Sequence, residues 1–334
     1  MSVLVTGGAG YIGSHMVLAL ADRGEQVIVL DDLSTGVRDN VDPRAVLMVG
    51  DVGNEGLLLQ LIARHQVESI VHFAGSIVVP DSVSDPLGYY LNNTVRSRSL
   101  IAAAVTAGVA HMIFSSTAAV YGMPKSNPVF ENADLNPISP YGTSKWMTEM
   151  MLRDTAAAHD LRYCALRYFN VAGADPDGRS GQSTPRATHL IKVASEAAAR
   201  QRGKLDIFGT DYDTPDGTCI RDYIHVSDLI AAHIAALDHL RLGGGSEVLN
   251  CGYGKGFSVR EVIDAVKRVG DVDFPVHEAA RRPGDPAALV AGAKNVRSLL
   301  GWVPQYDDLD TIVGHALAWE QSLAAKRRAE PISA

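Results

Sequence analysis

Val3-Leu4-Val5-Thr6-Gly7-Gly8-Ala9-Gly10-Tyr11-Ile12-Gly13 reads as a short buried strand, a glycine turn and the first turn of a helix. The missing side chains at Gly7, Gly10 and Gly13 allow a tight turn, close approach of the backbone to a pyrophosphate, and packing of helix on strand. Free amides at the helix start then hold the anion. Three glycines also occur in ordinary surface loops, so the next strand matters. Gln26-Val27-Ile28-Val29-Leu30 ends in Asp31, about where a dinucleotide-binding βαβ unit places the acid that bonds the adenosine ribose. Asp31 and Asp32 would repel a ribose phosphate, which favours NAD over NADP.

Of 334 residues, 46% are hydrophobic and 20% charged, enough to bury a large core in two lobes rather than several independent domains. The formal net charge is −8, whereas nonspecific nucleic-acid binding needs a concentrated basic surface to displace counterions. No nucleic-acid partner is therefore expected, and an anionic ligand has to be anchored by a few local arginines. Cys164, Cys219 and Cys251 are odd in number, widely spaced and without a Cys-x-x-Cys pair, which argues against both a disulfide framework and a zinc site. The expectation is buried thiols and no metal. A core strand directly after Met1 leaves no room for a signal peptide, and no apolar run approaches the roughly 20 residues of a membrane helix. These features predict a cytoplasmic protein with no membrane partner.

Strand-like runs recur at Val3 to Val5, Val27 to Leu30, Ala45 to Val49, Ser69 to Phe73, His111 to Ser115 and Arg162 to Leu166, separated by stretches that can each hold a helix. The alternation predicts an α/β fold, with a Rossmann-like, right-handed, doubly wound parallel sheet in an NAD-binding domain over residues 1–170. Helices are expected at Tyr11 to Asp22, Gly56 to His65, Tyr90 to Ala107 and Pro140 to His159, the last with Ser139 as N-cap and Pro140 at the first helical position. After Asn170 the chain turns to loops rich in Asp, Gly, Pro and Arg, so residues 171–334 read as a smaller, loop-rich C-terminal substrate lobe. Helical patterns at Val226 to Leu240 and Val259 to Val269 interrupt it, and Glu247 to Cys251 offers a crossover back to the main sheet.

Tyr141-Gly-Thr-Ser-Lys145 adds chemistry. Residues four apart share a helix face, so Tyr141 and Lys145 point into one pocket. A free tyrosine has a pKa near 10, but an adjacent ammonium and a positive nicotinamide ring both favour the phenolate. Tyr141 can then take a proton from a sugar hydroxyl while hydride leaves the same carbon. Phe114-Ser115-Ser116-Thr117 ends a predicted strand, where ligands of such sheets lie, and its hydroxyls can bond the reacting oxygen.

Six segments carry a resemblance over nearly the whole chain: Thr6-Gly-Gly-Ala-Gly-Tyr-Ile-Gly-Ser-His15, His72-Phe-Ala-Gly75, Phe114-Ser-Ser-Thr-Ala-Ala-Val-Tyr-Gly122, Ser139-Pro-Tyr-Gly-Thr-Ser-Lys145, Leu166-Arg-Tyr-Phe-Asn170 and Asp216-Gly-Thr-Cys-Ile-Arg-Asp-Tyr-Ile-His-Val226. The chain resembles the extended short-chain dehydrogenase/reductase family and, through the last segment, its UDP-glucose (UDP-galactose) 4-epimerases. The resemblance implies reversible epimerisation at carbon 4 through a transient 4-keto sugar, with tightly bound NAD. It makes Tyr141 the base, has Lys145 lower its pKa and hold the nicotinamide ribose, and sets Thr117 on the sugar 4-oxygen. It places Tyr11 and Ile12 at the pyrophosphate, Asp31 at the adenosine ribose and Asp51 and Val52 at the adenine. Phe73, Ala74, Gly75, Asn92, Ser115 and Phe169 are placed along the rest of the cofactor. Asn170, Leu190, Phe208, Arg221, Arg282 and Asp285 match positions that bind the UDP-sugar. In relatives, helices corresponding to Tyr90 to Ala107 and Pro140 to His159 form a four-helix dimer interface, which implies a homodimer.

Three departures from the family pattern stand out. Ile77 replaces a lysine that many relatives place near the cofactor phosphates. His189 falls where an asparagine usually binds the uridylyl phosphate, and it reads either as a one-bond substitute or as an ordinary helix-surface histidine. Leu289 falls where the sugar pocket often has a larger tyrosine, which leaves open whether UDP-N-acetylhexosamines or UDP-pentoses are also accepted. A related 4,6-dehydratase would carry an acid pair directly after the catalytic threonine, but Ala118 and Ala119 occupy those positions. A non-catalytic NAD sensor is disfavoured by the intact Thr117, Tyr141 and Lys145. His72, His111 and His225 sit in strand-like contexts without partners at metal spacing and read as hydrogen-bonded core residues.

Overall fold

The computed structural model describes residues 1–184, 187–282 and 284–329. Its first half runs β1 (Ser2–Thr6), α1 (Tyr11–Asp22), β2 (Gln26–Asp31), β3 (Val46–Val49), α2 (Glu55–His65), β4 (Ser69–His72), α3 (Val79–Ser84), α4 (Pro86–Tyr89), α5 (Arg96–Thr106), β5 (His111–Thr117), α6 (Pro140–Ala158) and β6 (Arg162–Tyr168). The remainder adds β7 (Asn170–Ala172), α7 (Leu190–Ala198), β8 (Leu205–Phe208), β9 (Ile220–His225), α8 (Val226–Arg241), β10 (Glu247–Cys251), β11 (Gly256–Ser258), α9 (Val259–Gly270), β12 (Val276–Ala279), β13 (Ala288–Leu289), α10 (Lys294–Leu300) and α11 (Leu309–Ala329).

Seven parallel strands form the central sheet in the order β10-β6-β5-β4-β1-β2-β3. The winding reverses between β1 and β4, so a crevice opens at the carboxyl ends of these strands. Period-two alternation sends neighbouring side chains into different layers. Val3 and Val5 of β1 pack with Met16, Val17 and Leu20 of α1 and Leu229 of α8. Leu4 packs the other way, among Leu58 and Ile62 of α2 and Leu100 of α5. Leu4 is fully buried, and a Leu to Ala change at such a site costs about 2–5 kcal/mol.

Ser139 caps α6 by accepting a hydrogen bond from the Gly142 amide at 3.2 Å, with Pro140 at the helix start. The helix expected over Tyr90 to Ala107 is not uniform: Tyr90–Val95 is a π-helical turn and α5 starts only at Arg96. The wider turn frees the Asn93 carbonyl, which accepts from the Ser97 hydroxyl at 2.5 Å and from the Thr148 hydroxyl at 3.3 Å. Residues 226–251 return to the central sheet, α8 lying beside α1 and β10 pairing with β6.

A second apolar centre lies among α7, α9, α11, β8 and β9, with Ile191, Ile207, Val262, Val266, Ile312 and Val313 buried in it. Helix α9 starts at a reciprocal capping box between Ser258 and Glu261, and its apolar stripe of Val262, Ile263 and Val266 is packed inward. Around this centre β11, β9 and β13 form one small sheet, joined by β7 on β9, and β12 pairs with β8. The three cysteines are free and buried.

Candidate active site

The glycine turn is held against the loop after β4. Gly7 has a φ of +72°, and a Cβ there would lie 2.6 Å from the Ala74 nitrogen. A Cβ on Gly13 would lie 2.1 Å from the Gly7 carbonyl oxygen, so helix and turn meet through bare backbone. Gly10 caps α1 without a side chain, which leaves the first-turn amides open to an anion. The Tyr11 hydroxyl donates to the Gly173 carbonyl at 2.7 Å, so Tyr11 has only its backbone to offer a phosphate. Ile12 is half-buried beside it.

Asp31 ends β2. Its two oxygens accept from the amides of Ala9 and Leu33, each at 2.9 Å, and burial raises its pKa despite those bonds. Asp32 accepts from the Ser34 amide at 2.9 Å and closes a surface turn. Asp51 accepts from the Gly53 amide at 2.7 Å and pairs with Arg96 at 2.9 Å, while Val52 is buried in the apolar layer. Arg96 also donates to Asn92 at 2.5 Å, and Asn92 donates to the Ser76 hydroxyl at 2.7 Å. Phe73 packs at 5.0 Å against His233, and Phe169 is buried.

Thr117, Tyr141 and Lys145 come together at the carboxyl end of β5. Thr117 accepts from the Ala119 amide at 3.1 Å, and its hydroxyl lies near enough to the Tyr141 phenol to favour the phenolate. Lys145 is 3% exposed; its ammonium donates to the Ser115 carbonyl at 3.0 Å and lies 5.1 Å from the centre of the Phe114 ring. Burial brings Lys145 down to about 8. Burial also raises the Tyr141 phenol, with the nearby Thr117 hydroxyl offsetting part of the rise. Lys145 is committed to a carbonyl rather than to the phenol, so desolvation dominates in the protein alone. A positive charge placed against the phenol is what would lower it. The Ser115 hydroxyl is bonded to the Tyr168 hydroxyl.

The expected substrate residues fall in three groups. Asn170, His189 and Leu190 line a small cavity with Gly173, Gln182 and Trp319, and the His189 Nδ1 is buried without a hydrogen-bond partner among the described residues. The Arg282 guanidinium lies 3.8 Å over the Phe208 ring. Arg221 donates to the carbonyls of Ile220 and Pro286 at 2.9 and 2.8 Å and stands 3.6 Å from Asp285. Leu289 pairs with Arg221 across β13 and β9 and packs, half-buried, on the core.

His72 lies between Thr6 at 2.7 Å and Ser97 at 2.8 Å. The Ser97 proton goes to the Asn93 carbonyl, so His72 carries its own proton on Nε2 and accepts from Thr6 on Nδ1. Burial drives its pKa down to about 3. His225 accepts from the Ser227 amide at 3.0 Å and meets His315 at 2.9 Å; His111 lies 3.1 Å from Arg162. Sequence reasoning missed Asn93 and Ser144, bonded to each other at 3.0 Å and through Asn93 to the Ser76 backbone. It also missed Glu149, although its place four residues beyond Lys145 on the same helix face was visible.

Residues 3–252 match the NAD dependent epimerase/dehydratase family. The chain is 60% identical to a UDP-glucose 4-epimerase of Azospirillum brasilense over 96% of its own length and 92% of that protein's. Among solved structures, the UDP-glucose 4-epimerase of Brucella ovis in complex with NAD superposes with a TM-score of 0.93 at 44% identity, covering 96% of this chain and 98% of the other. The UDP-glucose 4-epimerase of Bifidobacterium longum in complex with NAD+ and UDP gives 0.91 at 36% identity, with 96% and 98% covered.

Proposed function

The chain belongs to the NAD dependent epimerase/dehydratase family, and on that footing we propose that it interconverts UDP-glucose and UDP-galactose at carbon 4, with NAD as a resident cofactor. The observation that carries this reading is the buried meeting of Thr117, Tyr141 and Lys145 beside the glycine cradle. The cradle fits a dinucleotide: a Cβ at Gly7 or Gly13 would fill the space where backbone now packs, and the N-cap Gly10 offers no side chain to the first-turn amides of α1. Gly7, Gly10, Ile12 and Gly13 would hold the pyrophosphate, Asp31 the adenosine ribose, and Lys145 the nicotinamide ribose. The chemistry NAD supplies when bound is acceptance and return of one hydride.

Tyr141 takes the proton of the sugar 4-hydroxyl, which Thr117 orients by a hydrogen bond. The keto sugar then turns over within the pocket so that hydride returned to carbon 4 would arrive on its opposite face, while the same phenol gives the proton back to the 4-oxygen. Arg221 and Arg282 supply local positive charge for the diphosphate of a protein that is acidic overall. Asn170, His189, Leu190, Phe208, Asp285 and Leu289 complete the substrate side.

We extend the proposal to a cytoplasmic homodimer in galactose metabolism. Leu87, Leu91 and Val95 leave an exposed apolar stripe at four-residue spacing, close to α5 and α6. Among the described residues no helix is long and apolar enough to cross a membrane, and no cluster of His, Cys, Asp or Glu is arranged to hold a metal. Incubating purified protein with UDP-galactose and no added NAD tests the reading: UDP-glucose should form without NADH in solution. Stoichiometric NADH release with each turnover would replace it with a simple dehydrogenase.

A further inference from the structure

Tyr141, Lys145 and Glu149 stand on one face of α6 and are all buried. The first two have roles in the reaction, but Glu149 has none assigned. It forms a fork with Arg167 of β6, with Nε to Oε1 at 2.9 Å and Nη2 to Oε2 at 2.6 Å, and each side chain is 5% exposed. Oε1 also accepts from the hydroxyl of Ser116, the residue before Thr117.

The contacts continue away from the helix. Arg167 donates to the Tyr121 hydroxyl at 3.0 Å, and Tyr121 donates to the side-chain Oδ1 of Asn250 at 2.7 Å. Asn250 donates its side-chain amide to the Val129 carbonyl at 2.8 Å and its backbone amide to Glu131 at 2.9 Å. Glu131 then accepts from Asn295 of α10 at 3.1 Å. One line of polar contacts thus joins α6 to β5, β6 and β10, which are adjacent in the sheet, and ends in the C-terminal part of the chain.

Stability does not account for the pair. Taking two charges out of water costs about as much as their attraction gives, and apolar residues of similar volume often serve as well. An apolar contact, however, has no direction. A bidentate fork accepts only a narrow range of rotation and height of α6 over the sheet. Because Ser116 and Thr117 are consecutive, the bond from Ser116 to Glu149 sets the level at which Tyr141 meets Thr117.

We propose that Glu149 and Arg167 are positioning residues, whose ion pair holds α6 at the rotation that aims the Tyr141 phenol at the Thr117 hydroxyl and so at the reacting sugar oxygen. The proposal rests on the assignment of Tyr141 as base. The test is the double variant Glu149→Leu/Arg167→Met, studied as the purified holoenzyme with UDP-galactose. Loss of aim by an ångström or so should lower kcat on the order of a hundredfold, with KM, bound NAD and melting temperature near those of the parent. A folded double variant with parental kcat overturns the proposal, as does a loss of kcat that only tracks lost NAD. Should the double variant fail to fold, Arg167→Lys keeps the charge and gives up the fork; it should lower kcat roughly tenfold at constant KM, and a parental kcat there overturns the proposal equally. Tyr141→Phe, measured alongside, separates the two layers. A parental rate in that variant removes the base assignment and this proposal with it. A slow Tyr141→Phe beside a fast double variant removes this proposal alone.

Discussion

The region proposed to hold the cofactor and the region proposed to hold the substrate are built from different materials. Around β1, β2 and β4 the surface is backbone: Gly7 against Ala74, Gly13 against Gly7, and the open amides of α1. In the region proposed for the substrate the contacts are between long side chains from separate segments, with Arg282 over Phe208 and Arg221 beside Asp285. A backbone surface has no room for one added carbon. A side-chain surface can change a residue and alter preference while the fold stays intact.

Gly13→Ala should therefore show the largest effect. Its Cβ would lie 2.1 Å from a carbonyl oxygen that belongs to the turn itself, so the turn has to move. Purified Gly13→Ala should carry no NAD and show no measurable epimerisation, as read by absorbance of extracted cofactor and by sugar analysis. Full NAD content in this variant would show that the cradle yields more than its geometry suggests.

Tyr141→Phe comes next and separates chemistry from binding on the same wall. It removes the phenol and keeps the ring, so NAD should remain bound while kcat falls by on the order of a hundred- to ten-thousand-fold. A parental rate across neutral pH would mean another group is the base. Arg221→Lys belongs to the other side and should be milder. Lysine keeps the charge and loses the donors that reach the carbonyls of Ile220 and Pro286. KM for UDP-galactose should rise roughly tenfold with NAD content unchanged; an unchanged KM would take Arg221 out of the diphosphate site.

The two sides also differ in how pH reaches them. Arg282 is exposed to solvent, whereas His72 is buried and held neutral in the sheet with a pKa of about 3. In the unfolded chain a histidine takes its proton near pH 6.5. The unfolded state thus binds the extra proton, and stability falls as pH drops from about 6.5 towards 3. Denaturant titrations at pH 6 and pH 5 should show the slope reduced by roughly 1 kcal/mol per pH unit in His72→Gln. An identical slope in both proteins would assign the acid sensitivity to other groups.

The contrast in materials also decides what could be read from the sequence. Glycine spacing and apolar alternation report backbone geometry directly, so Tyr11–Asp22 falls where the pattern places it and the strands of the main sheet lie within a few residues of theirs. The π-helical turn at Tyr90–Val95 was not legible, because it depends on Ser97 and Thr148 competing for the Asn93 carbonyl across two helices. Phe208, Arg221, Arg282 and Asp285 come from scattered positions and were selected by resemblance, since no local period joins them. The raised phenol of Tyr141 was missed for a related reason: spacing puts Lys145 on the same face but does not say that its ammonium goes to the Ser115 carbonyl.

The smallest effect is expected where side chain alone sets preference. Leu289 sits opposite Arg221 in β13, two residues after Ala287, whose carbonyl accepts the Ile220 amide at 2.8 Å. Its backbone is therefore fixed, and only its side chain is free to vary. Leucine is smaller than tyrosine and has no hydroxyl, so if Leu289 borders the sugar as proposed it would leave some room for a 2-acetamido group. A change of this size in an apolar pocket is worth about 1 to 3 kcal/mol. UDP-galactose and UDP-glucose should be preferred, with weaker but measurable turnover of the N-acetylated pair, and Leu289→Tyr should suppress the N-acetylated pair selectively. The competing role is packing, because Leu289 also touches the core cluster around Ala291 and Val129. Comparing kcat/KM for both sugar pairs decides between them: a selective loss marks a size gate, whereas an equal loss in both, or none, marks a core residue.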